Sequence, residues 1–176
     1  YLVYTLHDVF IDFSCIMLRI PWKTPPLIQI YEALGAIADG RVMIDPENPL
    51  QAYVTSSSGW KVYNVSYDPT HNRIMSNDNG SYFQWYLGYP AIEFLMVRWI
   101  LPFREEYARS LRGIHWKNLN QQCANDFIKT ETFIDSLIAE SISLEAFHHF
   151  LSSIISEIEW LHLSLLGERM LPPKGY

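Results

Sequence analysis

The sequence predicts an α+β protein: a small antiparallel sheet with packed helices, followed by a C-terminal antiparallel helical hairpin. Three observations carry this prediction. Leu144, Phe147, Leu151, Ile154, Ile158, Leu161 and Leu165 are spaced alternately by three and four, the a/d seam of a coiled-coil-like helix. Cys123, Phe127, Thr130, Ile134 and Leu137 repeat the pattern upstream, and the short link around Ser141–Ser143 makes the two helices antiparallel neighbours over 117–166. Residues 41–79 instead hold short apolar or alternating runs separated by Pro, Asn, Asp and Gly, the signature of strands and turns.

The elements follow in order. Leu2, Leu6, Val9, Phe10, Phe13, Ile16 and Met17 fit a helical stripe that Pro21 ends. Thr24 is placed to cap a second helix over 26–39, with proline in its first turn and Leu27, Ile30, Tyr31, Leu34 and Ile37 on one face. Gly40 sits where a helix turns left-handed and stops. Val42–Ile44, Gln51–Ser56 and Trp60–Tyr67 read as strands, and Arg73–Ser76 as the return strand of a hairpin. Pro90 opens a helix over 90–100 with Ala91, Ile92, Leu95, Met96 and Trp99 buried, and Pro102 stops it. Glu105–Leu111 is a short helix. Ser143 caps the last helix and Gly167 ends it. The division expected is a mixed unit over 1–101 and the hairpin over 102–176, packed together as one globular protein.

Composition narrows the function classes. The chain has 176 residues, 49% apolar and 18% charged, so a real core is within reach and general disorder is excluded. The net charge is −6, with six Lys/Arg and nine Asp/Glu in residues 1–100 against seven and ten in 101–176. No basic block stands out, which argues against a large phosphate footprint. Arg104, Arg109, Arg112 and Lys117 form a small basic spot diluted by Glu105 and Glu106. Cys15 and Cys123 are far apart with no C-x-x-C, and point to a reducing, cytoplasmic setting. No run of about twenty uncharged apolar residues is present, so no membrane partner is expected. The chain opens on Tyr1 rather than methionine, so no targeting segment is read from it.

One stretch resembles a known family. Val54–Gly59, Lys61–Asp68, Asn72–Ser76 and Tyr89–Met96 follow the order of a SWIM-type zinc finger: small polar residues, a Y-x-V strand, a return strand and an apolar helix. The resemblance covers about residues 54–98. It implies a ββα unit and a DNA- or protein-binding role. Its Cys and His ligands are missing: Ser76-Asn77-Asp78 stands near the C-x-C position and Gly88-Tyr89-Pro90 near the C-x-H position. Structural zinc needs four such ligands, so a degenerate, metal-free segment is expected.

Candidate chemistry is sparse. Glu145-Ala-Phe-His148 and Glu159-Trp-Leu-His162 repeat the Glu-x-x-His spacing of di-metal bundles. On one continuous helix they would stand about 21 Å apart, too far to share a metal pair. His149 beside His148 points about 100° away from it, and His7 with Asp8 and Asp12 is equally loose. Ser56-Ser57-Ser58-Gly59 lacks a nucleophile-elbow or Walker pattern and reads as a polar turn. The candidate ligand-binding residues are Asn77, Asp78, Asn79, Tyr82 and Trp85, where Asx turn chemistry adjoins aromatics able to stack on a ligand. No catalytic residue and no cofactor emerge. The function expected is a non-catalytic protein-interaction or oligomerisation module, because Ile128, Phe133, Ile138, Phe150, Ile155 and Trp160 exceed what one seam needs. A SWIM-like nucleic-acid-binding module and a Glu-x-x-His metalloenzyme are the alternatives.

Overall fold

A computed structural model describes residues 19–174. The stripe over 2–17, Cys15 and the His7–Asp12 group lie outside the described residues. The rest is α+β, in the order α1 (Ile28–Ala38), β1 (Val42–Ile44), β2 (Gln51–Thr55), β3 (Val62–Asp68), β4 (Arg73–Ser76), a π-turn (Gly80–Gln84), α2 (Tyr89–Val97), α3 (Glu105–Ser110), α4 (Trp116–Gln122), α5 (Phe127–Ile138), α6 (Leu144–Trp160) and β5 (Ser164–Leu165).

The sheet is a meander, β1-β2-β3-β4-β5. The first four strands pair antiparallel, as expected, but β5 joins β4 in parallel and makes the sheet mixed. Ala52 and Val54, then Tyr63, Val65 and Tyr67, face inward, and Val62 is left half outside. Period-two alternation with one covered face is what an antiparallel sheet with helices on one side requires. The covering helix is α2, which reaches β1, β3 and β4.

Helix α1 is the centre of the molecule. Every residue from Ile28 to Ala36 is buried, between α2 on one side and α3 and α5 on another. An apolar helix of this kind needs partners all round. Gly35 admits one of them: a Cβ there would stand 2.9 Å from the Trp116 Nε1 and 3.1 Å from the Leu111 carbonyl, so α4 presses on α1 only because the residue is glycine. Thr24 does not cap α1; its hydroxyl donates to Glu159 at 3.0 Å, and α1 starts four residues later.

The C-terminal half departs from the expected hairpin in three places. Ala124 and Asn125 both take left-handed backbone (φ 55° and 59°), so 117–138 is two helices, α4 and α5, with Asp126 capping the second. The seam holds from Phe147 to Ile158 and then stops, because His162 turns left-handed (φ 46°). Leu163 enters the core and Leu165 becomes part of β5: the open edge of β4 takes backbone that the heptad pattern assigns to helix. On α5 the buried residue is Ile138, while Leu137 is 55% exposed. Trp99, expected in the stripe of α2, lies beyond that helix with φ 59° and is 78% exposed.

One hydrophobic cluster runs through all of this, from Val65 and Ile74 on the sheet to Leu151 and Ile154 on α6. Each fully buried Leu, Ile or Phe contributes roughly 1.5–3 kcal/mol. The aromatic hinge of the helical side is Phe147, whose ring meets Tyr31 and Tyr107 edge-on, each at 5.1 Å. The Tyr31 hydroxyl continues outward and donates to Asp135 at 2.7 Å, and Asp135 also holds His148 at 2.8 Å, tying α1, α5 and α6 together.

Candidate functional site

A polar cavity of about 510 Å³ opens among the described residues. Three parts of the chain meet there. Helix α1 supplies Gln29 and Glu32, the only buried polar side chains in that helix. The sheet end supplies Arg41, the Ser56–Ser58 turn between β2 and β3, Lys61 and Tyr63. The far wall is the loop Asp78–Gly80 with Tyr86 and Tyr89, and the α4–α5 corner with Trp116, Lys117, Asn120 and Phe127.

The loop wall is built by a buried carboxylate. Asp78 Oδ2 accepts from the hydroxyls of Ser76 (2.7 Å) and Ser81 (2.6 Å), and Oδ1 accepts from the Ser81 amide (3.0 Å). The Ser81 hydroxyl in turn accepts from the Gly88 amide at 3.1 Å. A Cβ on Gly88 would land on the Asp78 carboxylate, so only glycine lets the start of α2 come this close. Asn77 stitches the same loop to the sheet, its Oδ1 accepting from the Asn64 amide at 2.7 Å.

Glu32 and Arg41 set the electrostatics. Glu32 Oε1 accepts from Asn120 Nδ2 at 2.9 Å. Burial pushes its carboxyl up from an ordinary 4.5 to about 7, against the lowering effects of the Asn120 hydrogen bond and of Arg41, and with the Asp78 charge raising it further. The Arg41 side chain is only 10% exposed. Its Nη1 donates to the Thr55 carbonyl at 3.2 Å, and its Nε lies 3.4 Å from Asp39 without hydrogen-bond geometry. Nε and Nη2 are buried with no hydrogen-bond partner among the described residues, as are the Trp116 Nε1 and the Asn120 Oδ1. An unpaired buried polar group costs about 1–3 kcal/mol, so four of them around one cavity is unusual in a folded protein. Burial first, then Asp78 and Glu32, pushes the Tyr63 and Tyr86 phenols up to about 12, so both keep their protons and remain donors.

The residues singled out in the sequence fall in three places. Asp78 and the exposed Asn79 line the cavity, and Asn77 lies buried behind it. Tyr82 and Trp85 lie away from it and hold a cation of the chain itself: the Arg169 guanidinium sits 3.6 Å from the Trp85 ring centre and 5.1 Å from that of Tyr82, and donates to the Tyr82 carbonyl. Glu145, His148, His149, Glu159 and His162 are all exposed, with His148 on Asp135 and Glu159 on Thr24. Among the described residues no three His, Cys, Asp or Glu side chains converge. The basic spot is part-neutralised, Arg109 on Glu105 at 2.6 Å and Arg104 on Glu106 at 3.4 Å. No described helix is long and apolar enough to cross a membrane. Sequence reasoning missed Gln29, Glu32 and Arg41. The signal for two of them was present: Gln29 and Glu32 are the two polar residues in the otherwise apolar Leu27–Ala38.

The raised Glu32 carboxyl has a definite consequence. A folded-state value above the unfolded one means the folded protein keeps a proton that the unfolded chain releases between about pH 4.5 and 7. The stability this supplies is complete below pH 4.5 and is lost as pH rises to 7. Glu32→Gln cannot ionise and keeps the Asn120 bond. Its stability in urea is therefore expected to gain on the wild type by on the order of 3 kcal/mol between pH 4.5 and 8, a difference set by the two pKa values. An equal difference between the two proteins at both pH values would contradict it.

Nothing among curated proteins and nothing among solved structures matches this chain. A family pattern does match, over residues 22–164, which takes in the six α-helices of the described residues and every residue of the cavity: the chain belongs to the family described as Uncharacterised conserved protein UCP014422.

Proposed function

We propose that this chain is a non-catalytic binding module whose ligand is a small polar molecule seated in the cavity between α1, the β2–β3 turn and α4. The observation that carries the reading is Arg41, a guanidinium nine-tenths buried at the cavity wall with two nitrogens that lack a hydrogen-bond partner among the described residues. A cavity of about 510 Å³ suits such a ligand, since small-molecule sites span roughly 300–1,000 Å³ and orient their ligand with a few convergent polar groups. The test is thermal unfolding against a panel of small polar compounds, sorted as sugars, carboxylates, phosphate esters and amines. At least one class should raise the melting temperature, with about 2.7 kcal/mol of stabilisation at a hundredfold excess over Kd. Ser57→Trp, which places an indole at the cavity rim, should abolish the response. No response from any class, or an equal response in Ser57→Trp, would overturn the reading.

A second reading, self-association, is favoured by Phe133 and Leu137. They stand one turn apart on α5 and are 48% and 55% exposed, with Ile128 (75%) on the same helix and Trp160 (73%) at the end of α6. Sedimentation should then show a mass that rises with concentration, and Phe133→Glu with Leu137→Glu should hold the chain monomeric. A wild type that stays monomeric at every concentration would remove this reading.

A further inference from the structure

The cations of the cavity are not scattered. Arg41, Lys61 and Lys117 are each fastened by their own backbone or side chain to one short stretch, residues 55–57. Arg41 Nη1 donates to the Thr55 carbonyl at 3.2 Å, and the Thr55 amide donates to the Arg41 carbonyl at 2.9 Å. The Lys61 amide donates to the Ser56 hydroxyl at 3.2 Å, and the Ser56 amide to the Lys61 carbonyl at 2.8 Å. The Lys117 amide donates to the Ser57 hydroxyl at 3.3 Å. The three basic residues are therefore tied to one turn that carries three serine hydroxyls, and Arg41, Lys61, Lys117 and Ser56–Ser58 all line the cavity. Among the described residues neither lysine forms an ion pair; Arg41 has Asp39 at 3.4 Å, whose other oxygen accepts from the Gly113 amide at 2.8 Å, and the buried carboxyls of Glu32 and Glu93 are close enough to feel its charge.

We propose, resting on the small-molecule reading above, that the ligand is a phosphomonoester with a hydroxyl-rich body, its phosphate held by Arg41, Lys61 and Lys117 against the serine turn. A dianion with three terminal oxygens matches three cationic residues that line one end of the cavity, and a guanidinium with two nitrogens lacking a hydrogen bond offers it donors. The cavity also extends well past the anion. A water occupies about 30 Å³, and a phosphate ion only a few times that, so most of the 510 Å³ is left for the rest of the ligand.

The chemistry at the other end defines that remainder. Glu32 carries a carboxyl hydrogen-bonded by the Asn120 amide, whose own Oδ1 is an unpaired buried acceptor. The Tyr63 and Tyr86 phenols face the same space as donors. Carboxyl and amide acceptors beside protonated phenols suit neighbouring hydroxyl groups, which both donate and accept. The outcome is a site read from two ends, charge at the serine turn and hydroxyls at α1.

Titration calorimetry on the whole chain at pH 7.5 distinguishes the parts, with ribose 5-phosphate, glucose 6-phosphate, ribose and inorganic phosphate as probes. One of the two sugar phosphates should bind at least tenfold tighter than ribose. Lys61→Gln with Lys117→Gln should weaken that sugar phosphate at least tenfold, with the far-ultraviolet dichroism unchanged. Glu32→Gln should weaken the sugar phosphate without weakening inorganic phosphate, a split that a folding defect would not produce. Ribose binding as tightly as either phosphate, a double lysine variant binding as well as the wild type, or no heat from either sugar phosphate would overturn the inference. If another compound class still stabilises the wild type and not Ser57→Trp, the binding reading survives and only the phosphomonoester class falls.

Discussion

The buried carboxylate of Asp78 is the constraint on which the described structure turns. It lies 3% exposed and accepts from two hydroxyls and one amide, all from residues within three positions of it. An ionised or neutral carboxyl removed from water is tolerated only when its lone pairs are met in this way. By meeting them it folds Ser76–Ser81 into a tight loop at the end of β4, and through the Ser81 hydroxyl it draws in the amide of Gly88, the residue before α2. The sheet and its covering helix are thereby set at the separation that Gly88 alone allows. The same loop is one wall of the cavity, so fold and site share a single fastening.

The second constraint is the burial of α1 on all sides. A helix so placed is expected to be apolar throughout, and ten of its twelve residues from Leu27 to Ala38 are neither charged nor amide-bearing. The exceptions, Gln29 and Glu32, both point to polar partners: Gln29 accepts the Tyr89 amide at 2.9 Å and so takes up an orphan donor at the start of α2, while Glu32 meets Asn120. Gln29 is thus satisfied within the fold. Glu32 is only partly so, since burial favours its neutral form and one side of it faces the cavity. A structural role for Gln29 and a ligand-facing role for Glu32 follow from this difference, although both look alike in the sequence.

The strands were legible because alternation survives burial on one face: Ala52/Val54 and Tyr63/Val65/Tyr67 show it directly. So were α1, with Gly40 at its left-handed end, and the run of α6 from its Ser143 cap to Ile158. The failures have a common physical cause. The a/d pattern counts apolar residues but cannot distinguish a helical seam from a strand, so it assigns Leu165 to helix although that residue pairs with Ile74. Nor does the pattern register that Ala124 and Asn125 turn left-handed, because alanine carries no sign of that conformation. The cavity was legible in part. The Asn77–Asn79 loop stood out by its turn chemistry, but its partners at Arg41, Lys117 and Asn120 come from contacts between distant parts of the chain, which single-sequence reasoning does not reach.

Amide hydrogen exchange on the wild-type chain tests the fastening at Asp78 most directly. If the loop is locked as described, the Ser81 and Gly88 amides open only with the whole molecule, and their protection should equal that of the slowest amides of β3. Exchange of Ser81 and Gly88 many orders of magnitude faster than β3, at rates typical of an exposed loop, would show that the Asp78 network does not hold the sheet to α2.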